Sequence, residues 1–166
     1  MGLKEALLIE VERETEHSRK MISRIEDRHL AFKPHERSMS MGALAAHIIE
    51  LHGWVAEILA KAELNFHNGY TPFRPTTAKE LLERLNAGYE QNMTRLKEAK
   101  EADWEQTWSL KAGAHTIASM PKKAAIRYIV QNHLIHHRGQ LSVYLRLNNI
   151  PVPGIYGPSA DESFKN

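Results

Sequence analysis

The stretch Asn132-His133-Leu134-Ile135-His136-His137-Arg138-Gly139-Gln140-Leu141 places three histidines within five residues of an apolar helical pattern. On an α-helix each residue advances about 100°, so His133 and His137 point roughly 40° apart, about 5–6 Å from one another. One metal ion can reach both. Ile126, Val130, His133, His137, Leu141 and Tyr144 recur at steps of three and four, with Ile129, Leu134 and Leu145 widening the face. The two histidines thus take positions where leucine is expected. His136 falls to the flank. A core-facing pair by itself commonly bonds a carbonyl or a carboxylate, so the reading turns on a third ligand.

His47 is that candidate. Leu44, His47, Ile48, Leu51, Val55, Ile58 and Leu59 form a second inward stripe, and His47 replaces an apolar residue on it. His52 lies off this stripe. Two helices aiming histidine at one interior desolvate several imidazoles together, and a shared cation satisfies their ring nitrogens. Three neutral imidazoles leave a divalent ion with at least one open position, the arrangement of a catalytic site. Water there is acidified toward neutral pH, and a substrate thiol can bind as thiolate without any protein cysteine. Histidine-only ligation suits zinc, nickel, iron or copper. Zinc, needing no redox partner, is the first expectation. Gln140, one turn beyond His137, and Tyr144 are candidates to contact a bound water or substrate, with packing or an ordinary bundle hydrogen bond the favoured reading of each. Whether His136, His17 or a carboxylate supplies a fourth ligand stays open. Arg138 and Arg146, read as off the inward stripe, are expected to anchor an interface or the tail.

The elements that position these residues follow from pattern and punctuation. Helix 1 is expected over about Leu3 to Arg28, with Leu7, Val11, Met21, Ile22 and Ile25 inward. Its middle, Glu12 to Lys20, reads as a solvated charged helix with the small Thr15 and Ser18 at the inward positions, or as one wall of the metal cavity. Ser40 caps helix 2, which runs to about Ala62. Glu50 on it reads as a surface carboxylate, with support of His47 as the sharper alternative. Thr76 or Thr77 caps helix 3, with Glu80 at capping-box spacing from Thr77. Ala78, Leu81, Leu82, Leu85, Tyr89, Met93 and Leu96 form its inward face through about Ala99. Gly88 beside that face reads as a close helix approach or a tolerated weak spot. Thr107 to Leu110 and Ala114 to Ile117 around Lys111-Ala112-Gly113 predict a short hairpin. Trp104, Trp108 and His115 in that connection serve either to cover one end of the cavity or simply to pack. Pro121 suits the first turn of helix 4, which ends near Asn148-Asn149. Tyr156 to Glu162 is expected as an extended tail across the bundle or a partner subunit.

A chain of 166 residues, 42% apolar and 25% charged, fits one globular domain over residues 1–166. A net charge of +2 gives no electrostatic case for nucleic acid or an anionic membrane. The absence of cysteine excludes disulfides, a thiolate metal site and a cysteine nucleophile. Acids interrupt the short apolar run at the N-terminus, and nothing reads as the ~20 apolar residues of a membrane helix. Cytoplasmic is the default expectation.

Ser40-Met41-Gly42-Ala43-Leu44-Ala45-Ala46-His47, His133-x-x-x-His137-Arg138-Gly139-Gln140-Leu141, Tyr144-Leu145-Arg146 and Tyr156-Gly157-Pro158-Ser159-Ala160-Asp161-Glu162 together resemble the DinB family, within the DinB/YfiT-like superfamily. The likeness spans nearly the whole chain and is most specific from residue 132 to 162. It implies an all-α four-helix bundle with a long, partly irregular helix 3–helix 4 connection and an extended C-terminal tail. It also implies metal binding, often in a homodimer, with one ligand from helix 2 and two from helix 4; His47, His133 and His137 match those positions. Relatives include thiol-dependent transferases and isomerases that use low-molecular-weight bacterial thiols. The expectation is therefore a divalent-metal-dependent enzyme holding zinc, or else nickel or iron. Its expected reaction is thiol-dependent S-transfer to electrophilic small molecules, with the thiol as co-substrate. A metal-dependent hydrolase is the enzyme alternative, and a non-enzymatic, stress-related metal-binding dimer the other.

Overall fold

A computed structural model describes residues 2–162 of the chain. Four long helical rods form a bundle, and a small sheet closes one end. The expectation of a purely helical protein is corrected by that sheet. α1 spans Leu3–Ile22, α2 Met41–Ala60 and α3 Ala78–Glu98. The fourth rod is composite: α4 (Lys122–Ala125), a π-helical segment (Ile126–Gln131) and α5 (Asn132–Leu147) follow without interruption.

Each boundary has a local cause. Ser40 accepts a hydrogen bond from the Ala43 amide at 3.2 Å, and Thr77 accepts from Glu80 at 3.3 Å, satisfying first-turn donors that have no partner within the helix. Glu80 returns to the amide and hydroxyl of Thr76, at 2.9 and 2.7 Å. α1 stops short of the expected Arg28 because the chain tightens there: Arg24 and Ile25 donate to Met21 and Ile22, three residues back, and Ile25 is turned into the core. At the end of α5 Asn149 takes φ +56°, and Ile150 donates back to Leu145, which stops the helix where Asn148-Asn149 predicts. Gly42 is needed where it stands, since a Cβ there would meet the Leu30 carbonyl at 3.1 Å.

The hairpin expected around Gly113 forms, as β2 (Thr107–Ala112) and β3 (His115–Pro121), with Gly113 at φ +63° in the turn. β1 (Glu63–Asn65), absent from the sequence reading, adds in parallel to β2, with Leu64 opposite Leu110. Three residues are too few to show an alternation. Asn65 fastens the two parts, donating to the Gly113 carbonyl and accepting from its amide. Trp104 and Trp108 are fully buried beneath this sheet and His115 is exposed, so the tryptophans pack and do not cover a cavity.

Two apolar clusters fill the bundle. Near the sheet, Leu7 and Val11 of α1 meet Leu51, Val55 and Ile58 of α2, Leu96 of α3, and Ile126, Val130 and Leu134 of the last rod. At the other end, Met21 and Ile22 meet Met41, Leu44 and Ile48, Leu81 and Leu85, and Leu141 and Leu145. The residue order in the clusters shows that α2 and α3 run parallel, and that α1 and the last rod run opposite to them. The long connection from 61 to 77 follows from that parallel pair, because the chain must return the length of the bundle. α2 is also 20 residues long with a mean hydropathy of 1.3, enough by length and composition to cross a membrane, contrary to the expectation that no stretch approaches this. Its hydropathy reflects its place as the helix that touches all the others.

A polar layer separates the clusters. Glu14, Thr15 and Ser18 of α1, His52 of α2, Asn92 of α3 and Arg138 of α5 are all buried at this level. Thr15 and Ser18 take the inward positions expected of a charged α1, and Glu14 joins them there. Two expectations are corrected: His52 points inward, and Arg138 is on the core line. The line of Ile126, Val130 and Leu134 passes at a further step of four to Arg138, so His133 and His137 lie one residue to the side, half-exposed at the edge of the interior.

A candidate metal centre beside a buried polar layer

His47, His133 and His137 offer one ring nitrogen each, all within 4.8 Å of one another. α2 delivers the first and α5 the other two, as the sequence pattern predicts. Ring centroids lie 5.1 Å apart for His47 and His133, 4.7 Å for His47 and His137, and 4.6 Å for His133 and His137. Among the described residues no other histidine or carboxylate joins this group. His17 and His136 stand outside it.

The surroundings set which nitrogen of each ring is offered. The Gln140 carbonyl oxygen lies 2.7 Å from His137 Nδ1, so that nitrogen donates, while Gln140 Nε2 is 3.1 Å from Nε2 of His136. His137 Nε2 is left with a lone pair, facing His133 Nε2 at 2.8 Å. The His133 ring also bonds the backbone of Ile129. Burial pushes His133 down to about 4, and repulsion from His137 and His47 acts in the same direction. Burial also lowers His137, against the raising effect of Gln140. The lowered values keep His133 and His137 uncharged at neutral pH, their ring nitrogens converging with one of His47 in a partly dry pocket. A divalent cation fits that donor set.

Glu50 stands behind His47, its Oε2 3.8 Å from Nδ1. The carboxylate is nearly buried and accepts hydrogen bonds from the Tyr70 hydroxyl at 3.0 Å and the Phe73 amide at 2.5 Å. Burial alone would raise its pKa, but the adjacent His47 ring and the hydrogen bonds from Phe73 and Tyr70 outweigh this and hold it below the usual carboxylate range. Glu50 therefore supports His47 and is not a surface carboxylate; its position one turn beyond His47 was the available sign. Tyr70 and Phe73 lie in the irregular 61–77 connection, where the sequence offered no periodicity to find them. Gln140 faces His137 and His136, whereas the Tyr144 hydroxyl bonds the Met39 carbonyl at 3.2 Å and its ring packs on Phe32, inside the lower apolar cluster.

The polar layer abuts the centre through Arg138, the residue after His137. Its guanidinium bonds the Glu14 carbonyl at 3.0 Å and Ser18 Oγ at 3.4 Å, and also pairs with the Glu14 carboxylate and the Tyr156 hydroxyl. Tyr156 in turn donates to Glu14 at 2.8 Å, which raises its pKa to about 12, burial being the larger cause. Asp161 grips Arg146 through both oxygens, at 3.0 and 2.7 Å. Both arginines thus anchor the tail, as expected, though Arg138 does so from inside. His52 contacts Ser18 Oγ at 2.8 Å and Thr15 Oγ1 at 3.4 Å, and burial first, then Arg138 and Arg19, push it down to about 3. Asn92 joins α3 to α2, donating to the His52 carbonyl at 2.8 Å and accepting from the Ala56 amide at 3.0 Å.

Comparison with known proteins agrees with this geometry. The DinB family model matches residues 1–164. The uncharacterized protein YrdA of Bacillus subtilis (strain 168) is 26% identical over 151 residues, which cover 90% of this chain and 85% of that protein. Two solved structures share the fold. A DinB-like protein from Bacillus cereus ATCC 10987 superposes with a TM-score of 0.66 at 22% identity, over 86% of this chain and 91% of the other. The DinB-like protein YjoA from Bacillus subtilis does so with a TM-score of 0.69 at 20% identity, over 88% and 96%. With a family model matching nearly every residue, and with His47 and the His133/His137 pair brought together by the fold, the chain belongs to the DinB family.

Proposed function

We propose that this protein is a divalent-metal-dependent enzyme, a thiol-dependent S-transferase acting on electrophilic small molecules. The observation that carries the reading is the convergence of three imidazole nitrogens within 4.8 Å, with no fourth histidine or carboxylate in the group among the described residues. That donor set holds an ion and leaves a coordination position for an exchangeable ligand. A divalent ion held there supplies Lewis acidity, lowering the pKa of a thiol or water that takes the open position. Zinc is the metal proposed, with nickel or iron compatible with the same ligands.

The chain's own residues prepare the site. Gln140 fixes the His137 ring by accepting from Nδ1, which commits Nε2 to the centre. Glu50, held ionised by Tyr70 and Phe73, faces His47 Nδ1 and places negative charge behind the ligand. The depressed pKa values of His133 and His137 keep both rings neutral, as ligation requires. With no cysteine in the chain, the thiol must come from a co-substrate of low molecular weight. A homodimer is part of the proposal; it rests on the family and on Val143 and Leu147, exposed on α5. Light scattering that finds a monomer overturns that part alone.

The test is elemental analysis of untagged protein, followed by a screen of electrophiles with and without bacterial thiols. Stoichiometric metal and turnover that requires thiol support the transferase. Equal consumption of electrophile without thiol would replace it with metal-assisted hydrolysis.

A further inference from the structure

A second compartment lies along α2, on the far side of Glu50 from His47 and lined by none of the three histidines. It is a cleft of about 620 Å³ between α2, α3 and the 61–73 segment, within the roughly 300–1,000 Å³ range of small-molecule sites. Trp54, Leu64 and Phe73 supply apolar surface, and Gly53 on α2 and Gly88 on α3 both line it. Glycine is the least favourable helix residue after proline, so a glycine inside a helix calls for a reason. Neither has the usual one. Both have ordinary helical backbone, and a Cβ at either would meet nothing within 4 Å. Gly139 shares this freedom, but on the exposed face of α5. What Gly53 and Gly88 contribute is empty volume, on two walls of one cleft.

The charges lining the cleft decide what suits it. Glu57 is paired with Lys61 at 2.6 Å, and Glu63 with Lys111 at 2.5 Å. Glu50 is engaged by Tyr70, Phe73 and His47. Arg84, exposed on α3, is the remaining charge, and among the described residues no carboxylate lies within 4.0 Å of it. Each lining carboxylate already has its partner, and one guanidinium does not. We propose that this cleft binds a small amphipathic carboxylate, its apolar body over Trp54 in the space left by Gly53 and Gly88, its head group on Arg84. The site takes a ligand class that the histidine cluster does not select, and it stands whether or not that cluster holds metal.

The test is isothermal titration of the full chain, as isolated and after chelation, with phenylpropionate, phenylpropanol and phenylpropylamine. The indole resonance of Trp54 serves as a local reporter. A charge-assisted contact makes the acid bind about ten- to a hundredfold more tightly than the alcohol or the amine. Arg84→Gln brings the acid to the level of the alcohol and leaves the alcohol unchanged. Gly88→Leu fills the cleft and weakens all three probes about tenfold or more, with no fall in melting temperature, since leucine is the better helix former. Failure of the acid to saturate, equal binding of acid and amine, or unchanged binding in Gly88→Leu each overturns the proposal. Retained binding after chelation separates it from the fate of the metal reading.

Discussion

The three-histidine centre and the polar layer occupy the same level of the bundle and use overlapping residue types, yet they are opposites in how their polar groups are satisfied. In the layer, Glu14, Arg138, Ser18, His52, Asn92 and Tyr156 bond to one another or to backbone, and donors meet acceptors. In the centre, acceptor nitrogens meet acceptor nitrogens, and the donors that might have answered them are turned outward to Gln140 and Ile129. Polar burial alone therefore marks no functional site. What sets the centre apart is the convergence of three imidazoles on one point, a donor set that could hold a metal ion.

Substitutions should separate the two regions. The largest effect expected is on metal retention: His47→Ala, His133→Ala or His137→Ala should each weaken binding by more than the roughly 10–100-fold typical of losing a supporting group. His52→Ala, in the layer, and His67→Ala, at an exposed position just after β1, should leave stoichiometry intact by elemental analysis. An unchanged metal content in His47→Ala would remove α2 from the centre and dissolve the contrast.

The layer should answer in stability. Arg138→Met leaves Glu14 buried and unpaired, and should cost roughly 3–5 kcal/mol by chemical denaturation. Pairing it with Glu14→Leu should restore most of that loss. His52 adds a pH signature. Its folded pKa, about 3, lies below the ordinary 6.5, so between these values the unfolded chain binds a proton that the folded chain refuses. Its contribution is fully present above 6.5 and is lost as pH falls toward 3, on the order of a few kcal/mol. His52→Gln, which keeps hydrogen-bonding capacity, should flatten that acid limb; an unaltered profile would assign it to other groups.

Smaller effects sharpen the boundary. Glu50→Gln should weaken metal retention about tenfold with little change in melting, placing Glu50 with the centre despite its share in the cleft. Gly53→Ala and Gly88→Ala should each stabilise the fold by up to about 1 kcal/mol, measured by denaturant titration.

Much of this was legible in the sequence, for identifiable reasons. Helix caps at Ser40 and Thr77, the stop at Asn148-Asn149 and the turn at Gly113 are local chemistry, and each formed where expected. The meeting of His47 with His133 and His137 was legible because two independent stripes each carried histidine. The polar layer was legible only at Thr15 and Ser18. The ladder of Leu7, Val11, Ser18 and Ile22 continues through Glu14 and Thr15 without a break in period, but a glutamate in isolation says nothing of an arginine 124 residues away. β1 depends on a parallel partner far along the chain, and the cleft on the absence of side chains at Gly53 and Gly88, which no pattern of present residues reveals.

The π-helical segment Ile126–Gln131 lies just upstream of His133. Such a turn accommodates one residue more than an α-helical turn would. Were the same six residues wound as a regular α-helix from the same Pro121 entry, each would advance about 100° instead of the smaller step of a π-turn. Everything downstream would then swing by about 100° relative to the sheet end. The imidazoles would be carried off α2 while the helix itself lost nothing in propensity. One inserted position, invisible to composition and to charge, thus fixes the azimuth at which this protein presents its ligands.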